Sequence, residues 1–172
     1  MHDNAKRLET VPRNSILDKL APRPVKELPV EPPDEDEYSS PAFGYLRGIR
    51  DRGLALEFRF RDGTSAWFSY SWLGAFYYHP SVGALLKFTG DTITLVLIRG
   101  SNLDCPVRDG TMTLMDRGLQ RHRITFIREM DEDQLRKAGE REPTIDSIEM
   151  AEFETHEEVR DWIKKNASAF SR

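Results

Sequence analysis

The chain has 172 residues, of which 38% are hydrophobic and 31% charged, and its formal net charge is −4. This length fits one domain with appended segments, and no apolar run approaches the roughly 20 residues of a membrane span. Cys105 is the single cysteine, which excludes an intramolecular disulfide and a cysteine-based zinc site. The N-terminus lacks the apolar stretch of a signal peptide, so we expect a soluble cytoplasmic protein without membrane contact.

Residues 1–41 hold seven of the ten prolines and end near a run of four acidic residues. Such a segment buries too little apolar surface to offset the entropy cost of ordering, so we predict a disordered tail. One apolar cluster interrupts it, formed by Ile16, Leu17 and Leu20. This cluster is either incidental or a docking motif that becomes helical in a partner's groove or on this protein's own sheet.

Residues 43–52 form a short strand or an irregular entry into the first clear strand, at 54–61. In that strand apolar residues such as Leu56 and Phe58 alternate with polar ones, the period of a half-buried strand. Asp62-Gly63 follows and is a strong hairpin signal.

The returning run, 64–78, is rich in aromatic residues, which favours a strand. It is too long to stay straight, and we expect a bend or bulge near Ser71 or Gly74. Two further strands are predicted at 84–89 and 92–98. The second of these is apolar on both faces, so we expect it to lie centrally or under a cover.

Residues 104–111 form a loop, or a hairpin with 111–115. The stretch 114–122 fits a short helix nearly as well, and we prefer the helix because it would cover the second face of the strand at 92–98. A final strand at 123–128 places Ile124 and Phe126 inward, with Ile127 on the opposite face.

The C-terminal third is acidic and holds two helix-capping signals. Asp131 can cap a first helix, and Thr155 with Glu158 forms a capping box for a second one. Between them, 143–153 suits a short edge strand. The second helix is amphipathic, and its apolar side must pack on the sheet or on another chain. That side carries Trp162 and Ile163.

Together these elements predict an α+β fold: a small, strongly bent antiparallel sheet or open roll with a short crossing helix and a C-terminal amphipathic helix. The predicted organisation is a disordered Pro-rich acidic tail at 1–41, a β-rich core at 42–130 and an acidic C-terminal extension at 131–172. The β-rich part is mildly basic, since residues 43–130 carry 12 basic and 8 acidic side chains.

No residue pattern indicates catalysis or metal binding. The four histidines lie far apart, and none has a second histidine or cysteine at metal-ligand spacing. No serine stands in a nucleophile-elbow sequence. We therefore predict no enzyme activity, no cofactor and no metal.

All but one of the 12 basic residues at 43–130 are arginines, which suit bidentate contacts with carboxylate or phosphate. Their ordinary role is a solvated surface with local ion pairs. The alternative is that Arg59, Arg61 and Arg99 flank exposed rings such as Trp67, since rings combined with cations form a platform for single-stranded nucleic acid.

Two segments resemble the signature segments of Sm-like RNA-binding barrels: the strand at 54–61 with Asp62-Gly63, and the run Leu95-Val-Leu-Ile-Arg-Gly-Ser-Asn-Leu103. In that resemblance Arg99 and Asn102 match the turn that contacts RNA. The family's acidic-then-Asn motif is missing, and Phe76-Tyr77-Tyr78-His79-Pro80 stands in its place.

A longer stretch, 53–129, resembles a group of short uncharacterised bacterial proteins. The shared elements are an aromatic strand ending before Pro80, a Thr-rich strand at 92–98, a closing strand at 123–127, and the sequences Phe60-Arg61-Asp62-Gly63, Tyr70-Ser71-Trp72-Leu73 and Arg99-Gly-Ser-Asn-Leu103. The resemblance implies a compact β-rich domain and no known activity.

The leading hypothesis is a non-catalytic protein-binding or assembly module, whose partner is another protein or a second copy of itself. The candidate docking residues are Ile16, Leu17, Leu20, Trp162 and Ile163. The alternative is an RNA-binding or single-stranded nucleic-acid-binding protein. Its candidate contact residues are Arg59, Arg61, Trp67, Arg99 and Asn102.

Overall fold

The computed structural model describes residues 37–107 and 110–171 of the chain. The strands of this part are β1 (Glu37–Ser39), β2 (Phe43–Leu46), β3 (Ala55–Arg59), β4 (Ser65–Ser69), β5 (Leu73–His79), β6 (Gly83–Thr89), β7 (Ile93–Arg99), β8 (Ile124–Arg128) and β9 (Ser147–Phe153). Its α-helices are α1 (Glu132–Lys137) and α2 (His156–Asn166). Shorter helical turns lie at Tyr70–Trp72, Leu114–Gly118, Leu119–Arg121 and Ser168–Phe170.

The strands form two open sheets. Sheet A has the order β1-β2-β8-β3-β4 and is antiparallel apart from the parallel pair β3–β8. Sheet B has the order β5-β6-β7-β9 and is antiparallel throughout. The predicted α+β class is confirmed, and so is the prediction of an edge strand in the stretch 143–153, which is β9.

The bend predicted in the long aromatic run is the 3-10 turn Tyr70–Trp72, and it separates two sheets. The Ser69 hydroxyl begins the turn by accepting a hydrogen bond from the Ser71 N–H at 3.2 Å. Inside the turn Tyr70 is buried, and its hydroxyl donates to the Ile124 carbonyl at 2.8 Å. Burial raises the pKa of this phenol. Since β4 lies in sheet A and β5 in sheet B, the anchored turn carries the chain from one sheet to the other.

The main core contains buried residues of both sheets. Phe58 of β3 is fully buried and meets two other rings edge-on, Phe68 at 5.9 Å and Phe88 at 6.0 Å between centroids. Leu114 and Leu119 belong to the same cluster and lie in the predicted crossing segment, which is a π-helical turn followed by a 3-10 turn. The segment packs in the cluster that holds the Val96 and Ile98 side of β7, as predicted.

The opposite side of β7 is covered by α2. A second cluster contains Leu95 and Leu97 of β7 together with Val159 of α2, and Trp162 and Ile163 pack against it. The two faces of this central strand are therefore covered by different parts of the chain. This explains why a strand in an open sheet is apolar on both sides.

The predicted orientation of Phe126 is wrong. In β8 the main core receives Ile124 and Ile127, whereas Phe126 lies on the other face of sheet A under the Arg59 guanidinium, 3.8 Å from the ring centroid. The reason is a bulge, because Gly44 pairs with Phe126 while the next residue of β2 pairs with Ile124. The extra residue reverses the alternation on which the prediction rests.

The predicted end of the tail also needs correction. The predicted tail extends to residue 41, whereas Glu37–Ser39 is a strand that pairs with β2. The docking motif predicted at Ile16, Leu17 and Leu20 lies outside the described residues. No helix in the described part of the chain is long and apolar enough to cross a membrane.

The capping box predicted at the start of α2 is present. The Thr155 hydroxyl accepts from the Glu158 N–H at 3.3 Å, and the Glu158 carboxylate accepts from the Thr155 N–H at 3.1 Å. We expect Thr155→Ala to lower the free energy of unfolding by about 1 kcal/mol, measured by urea denaturation. Thr155→Ser keeps the hydroxyl and serves as the control. Equal stability of wild type and Thr155→Ala would show that the box contributes nothing.

Candidate partner-binding cleft

A cleft of about 710 Å³ opens between the β1–β2 pair and α1, and we name it the tyrosine cleft. The cleft lies next to the main core, on the face of sheet A that packs against that core. Its floor is apolar because it is formed by the buried residues Met130 and Val107. Its lining residues come from four parts of the chain. They are Tyr38, Ser39, Ser40, Pro41, Tyr45, Arg47, Val107, Gly110, Met130, Gln134, Lys137, Ala138, Glu142 and Pro143.

One wall of the tyrosine cleft is aromatic. Tyr38 and Tyr45 are directly paired across β1 and β2, which places their side chains on the same face of the sheet. Their ring centroids lie 5.8 Å apart. Tyr38 is about half exposed, whereas Tyr45 packs against the core. Burial, with a smaller contribution from the neighbouring Tyr38, raises the pKa of Tyr45, so the Tyr45 phenol stays protonated and can donate a hydrogen bond.

Two cations border the cleft. The Arg47 guanidinium lies over the Tyr38 ring, 3.9 Å from its centroid, and this contact holds it beside the aromatic wall. Lys137 stands in the last turn of α1, where the helix dipole favours a cation. Glu142 supplies an acidic group, and its carboxylate accepts a hydrogen bond from the Gly139 N–H at 2.9 Å. The cleft thus offers rings, an apolar floor and more positive than negative charge.

The polar residues predicted to contact nucleic acid already bond within the chain. Arg59 pairs with Glu57 at 2.7 Å, and Arg61 donates to the carbonyls of Met130 and Asp146. Arg99 pairs with Glu149 and also donates to the Asn166 carbonyl. Asn102 has a positive φ of 56° and donates to the carbonyls of Glu140 and Glu142. These four side chains fasten loops and strands together.

Trp67 differs from them because 64% of it is exposed. It lies opposite Glu57 on the outer face of sheet A, the face that also carries Arg59 and Phe126. The structure therefore brings Trp67 and Arg59 onto one face, where the arginine is shared between Glu57 and the ring of Phe126.

The two predicted docking residues of α2 face their own chain. Trp162 meets Phe153 of β9 edge-on at 6.2 Å between ring centroids, and Ile163 packs on the same cluster. The apolar side of α2 is thus used for packing on sheet B, one of the two outcomes that its amphipathic pattern allows.

The sequence pattern missed the tyrosine cleft because its parts are far apart in the chain. Tyr38 falls in the segment predicted as tail, and α1 follows more than 85 residues later. A local signal does exist: Tyr45 and Arg47 are two residues apart, a spacing that puts both side chains on one face of a strand. Recognising that strand and its partner β1 would have found the aromatic wall.

In the part of the chain that the structure describes, no group of three or more His, Cys, Asp and Glu side chains is placed to hold a metal ion. The comparisons with known proteins gave no match: no family model, curated protein or solved structure matches this chain.

Proposed function

We propose that the domain is a non-catalytic, cytoplasmic protein-interaction module, and that the tyrosine cleft binds an extended acidic segment of a partner protein. The observation that carries the proposal is the combination of an aromatic wall, Tyr38 and Tyr45, with Arg47 and Lys137 in one cleft. The cleft needs no rearrangement of the fold to be reached, since Tyr38 and Arg47 are exposed.

The aromatic wall favours an extended chain as the ligand. Grooves lined by aromatic rings bind segments in the polyproline II conformation, because such segments are already ordered and offer flat apolar surfaces to the rings. The hydroxyls of Tyr38 and Tyr45 can donate to backbone carbonyls that an extended segment leaves unpaired. A ligand held in this way is recognised by shape and by its main chain.

The cations favour acidic side chains on that segment. A guanidinium binds a carboxylate with two parallel hydrogen bonds, and an arginine already held against a ring loses little side-chain entropy when it does so. Lys137 adds a second positive charge on the α1 side of the cleft. We therefore expect ligands that combine proline or aromatic residues with Asp or Glu.

The test is a synthetic array of ten-residue peptides in which acidic, basic, proline and neutral residues are permuted, with affinities measured by fluorescence polarisation. Acidic members that contain proline should bind the full-length chain. Arg47→Ala should weaken binding at least about tenfold, because the loss of even one charge-assisted hydrogen bond costs about 1.5 kcal/mol. Arg160→Ala, on the exposed face of α2, is the matched control and should leave the affinity unchanged.

Charge reversal makes the test sharper. Arg47→Glu should shift the preference of the array from acidic towards basic peptides. An array without any binding peptide, or an acidic preference that Arg47→Glu leaves intact, would contradict the proposal.

A further inference from the structure

The loop between β2 and β3 forms a second basic surface, and we name residues 47–54 the arginine loop. Arg50 and Arg52 of this loop are exposed, and so is Arg121 in the turn before β8. The two segments are adjacent, because the Gly53 N–H donates to the His122 carbonyl at 2.7 Å. Three exposed arginines therefore lie on two adjacent segments at one end of sheet A.

Arg123 supports the start of the arginine loop through hydrogen bonds to the backbone. Although it is charged, this residue is only 7% exposed, and its guanidinium donates to the carbonyls of Leu46 and Arg47. Within the loop the Asp51 N–H donates to the Gly48 carbonyl at 3.2 Å. The Asp51 carboxylate lies against Gly48, where a Cβ would come within 1.8 Å of its oxygen. These contacts fix the backbone of the loop that carries the exposed arginines.

The positive charge of this surface is only partly compensated. Within 47–54 and the turn 119–123, Asp51 is the single acidic residue. The Arg52 guanidinium donates to the carbonyls of Ile49 and Asp51, which do not neutralise its charge. Burial, with smaller contributions from Arg52 and Arg121, lowers the pKa of Arg123, so these cations are close enough to repel one another. A bound polyanion would relieve that repulsion.

Two aliphatic side chains stand among these cations. Ile49 is 77% exposed and Leu54 is 88% exposed. Proteins that bind the minor groove of DNA combine arginines with apolar wedges such as Ile and Leu, which press against the base steps. Interfacial lipid-binding segments are typically amphipathic helices, whereas the arginine loop contains no helix. The conformation of the loop therefore favours a nucleic acid over a lipid surface.

We propose that the arginine loop is a binding site for duplex DNA. Arg50, Arg52 and Arg121 contact backbone phosphates, and Ile49 and Leu54 press into the minor groove. Such contacts position the duplex and carry little sequence information. Arg47 belongs to the same loop but lies over Tyr38 in the tyrosine cleft, and the proposed DNA contacts do not include it, so either activity can exist without the other.

The test measures the affinity of the full-length chain for a fluorescein-labelled 20-base-pair duplex of mixed sequence between 50 and 200 mM salt. Three phosphate contacts give a slope of about −2.7 in log K against log salt, a loss of about 40-fold over this range. Arg50→Ala and Arg121→Ala should each reduce the slope by about 0.9. Ile49→Ser and Leu54→Ser should weaken binding without changing the slope, since they remove no charge.

Arg160→Ala on α2 is the control for a general effect of charge, and it should leave both affinity and slope unchanged. The proposal is overturned if the duplex does not bind at 50 mM salt, or if Arg160→Ala has the same effect as Arg50→Ala. It is also overturned if vesicles of phosphatidylserine and phosphatidylcholine, or a single-stranded 20-mer, bind more tightly than the duplex. Peptide binding by the cleft is measured separately, so its result does not decide this one.

Discussion

Phe58→Ala should lower the free energy of unfolding by about 3–5 kcal/mol, the usual cost of removing a buried phenylalanine side chain. The side chain is fully buried between the sheets, and it contacts rings from both of them, Phe68 of sheet A and Phe88 of sheet B. Its loss leaves a cavity at the point where the sheets are joined by packing. In a chain of this size the midpoint of thermal unfolding should fall by roughly 6–20 °C.

The matched control is Trp67→Ala. It removes a larger ring from the neighbouring strand of the same sheet, but that ring lies on the outer face and is 64% exposed. We expect a change of no more than about 0.5 kcal/mol. Calorimetry of both variants compares them directly, and equal losses of stability would contradict the placement of the core between the sheets.

Arg123→Met should cost about 3 kcal/mol of stability and also weaken peptide binding by the tyrosine cleft. The guanidinium is buried and donates to the carbonyls of Leu46 and Arg47, and methionine fills similar space without any donor. Hydrogen bonds from a charged group contribute about 1.5–3 kcal/mol each, and both carbonyls are part-buried where they accept them. Because the Arg47 carbonyl accepts one of these hydrogen bonds, the Arg123→Met variant should no longer hold the Arg47 guanidinium over the Tyr38 ring.

Arg121→Met is the control for Arg123→Met. Arg121 is exposed two residues earlier in the chain, so its replacement should change stability by no more than about 0.5 kcal/mol. It should leave peptide affinity unchanged and reduce only the affinity for duplex DNA. Urea denaturation and fluorescence polarisation give both readouts, and a stable Arg123→Met variant with normal peptide affinity would show that the buried arginine does not support the loop.

Local signals in the sequence determined most of the elements. Asp62-Gly63 marks the hairpin between β3 and β4, and Gly63 has the positive φ of 87° that such a turn requires. The capping box at Thr155 fixes the start of α2. The excessive length of the aromatic run indicates a break, which the structure has at Tyr70–Trp72. These signals depend on residues only a few positions apart, so they can be interpreted without knowing the fold.

The tertiary structure alone decided how these elements combine. The parallel pairing of β3 with β8 joins strands about 70 residues apart, and no local pattern specifies that pairing. The bulge opposite Gly44 turned Phe126 to the outer face, because one extra residue in a strand inverts every later side chain. The amphipathic pattern of α2 predicted that its apolar side would be covered, and only packing showed that sheet B covers it.

The candidate sites also depend partly on the sequence and partly on the tertiary structure. Composition showed that the central part of the chain is rich in arginine, but it did not separate arginines that fasten the fold from those that face solvent. Arg59, Arg61 and Arg99 bond within the chain, whereas Arg47 and Arg50 are presented at the surface. A side chain's partners depend on the residues that the fold brings beside it. The sequence by itself therefore determined which residue types were available, and the packing of the two sheets decided which of them remain available to a partner.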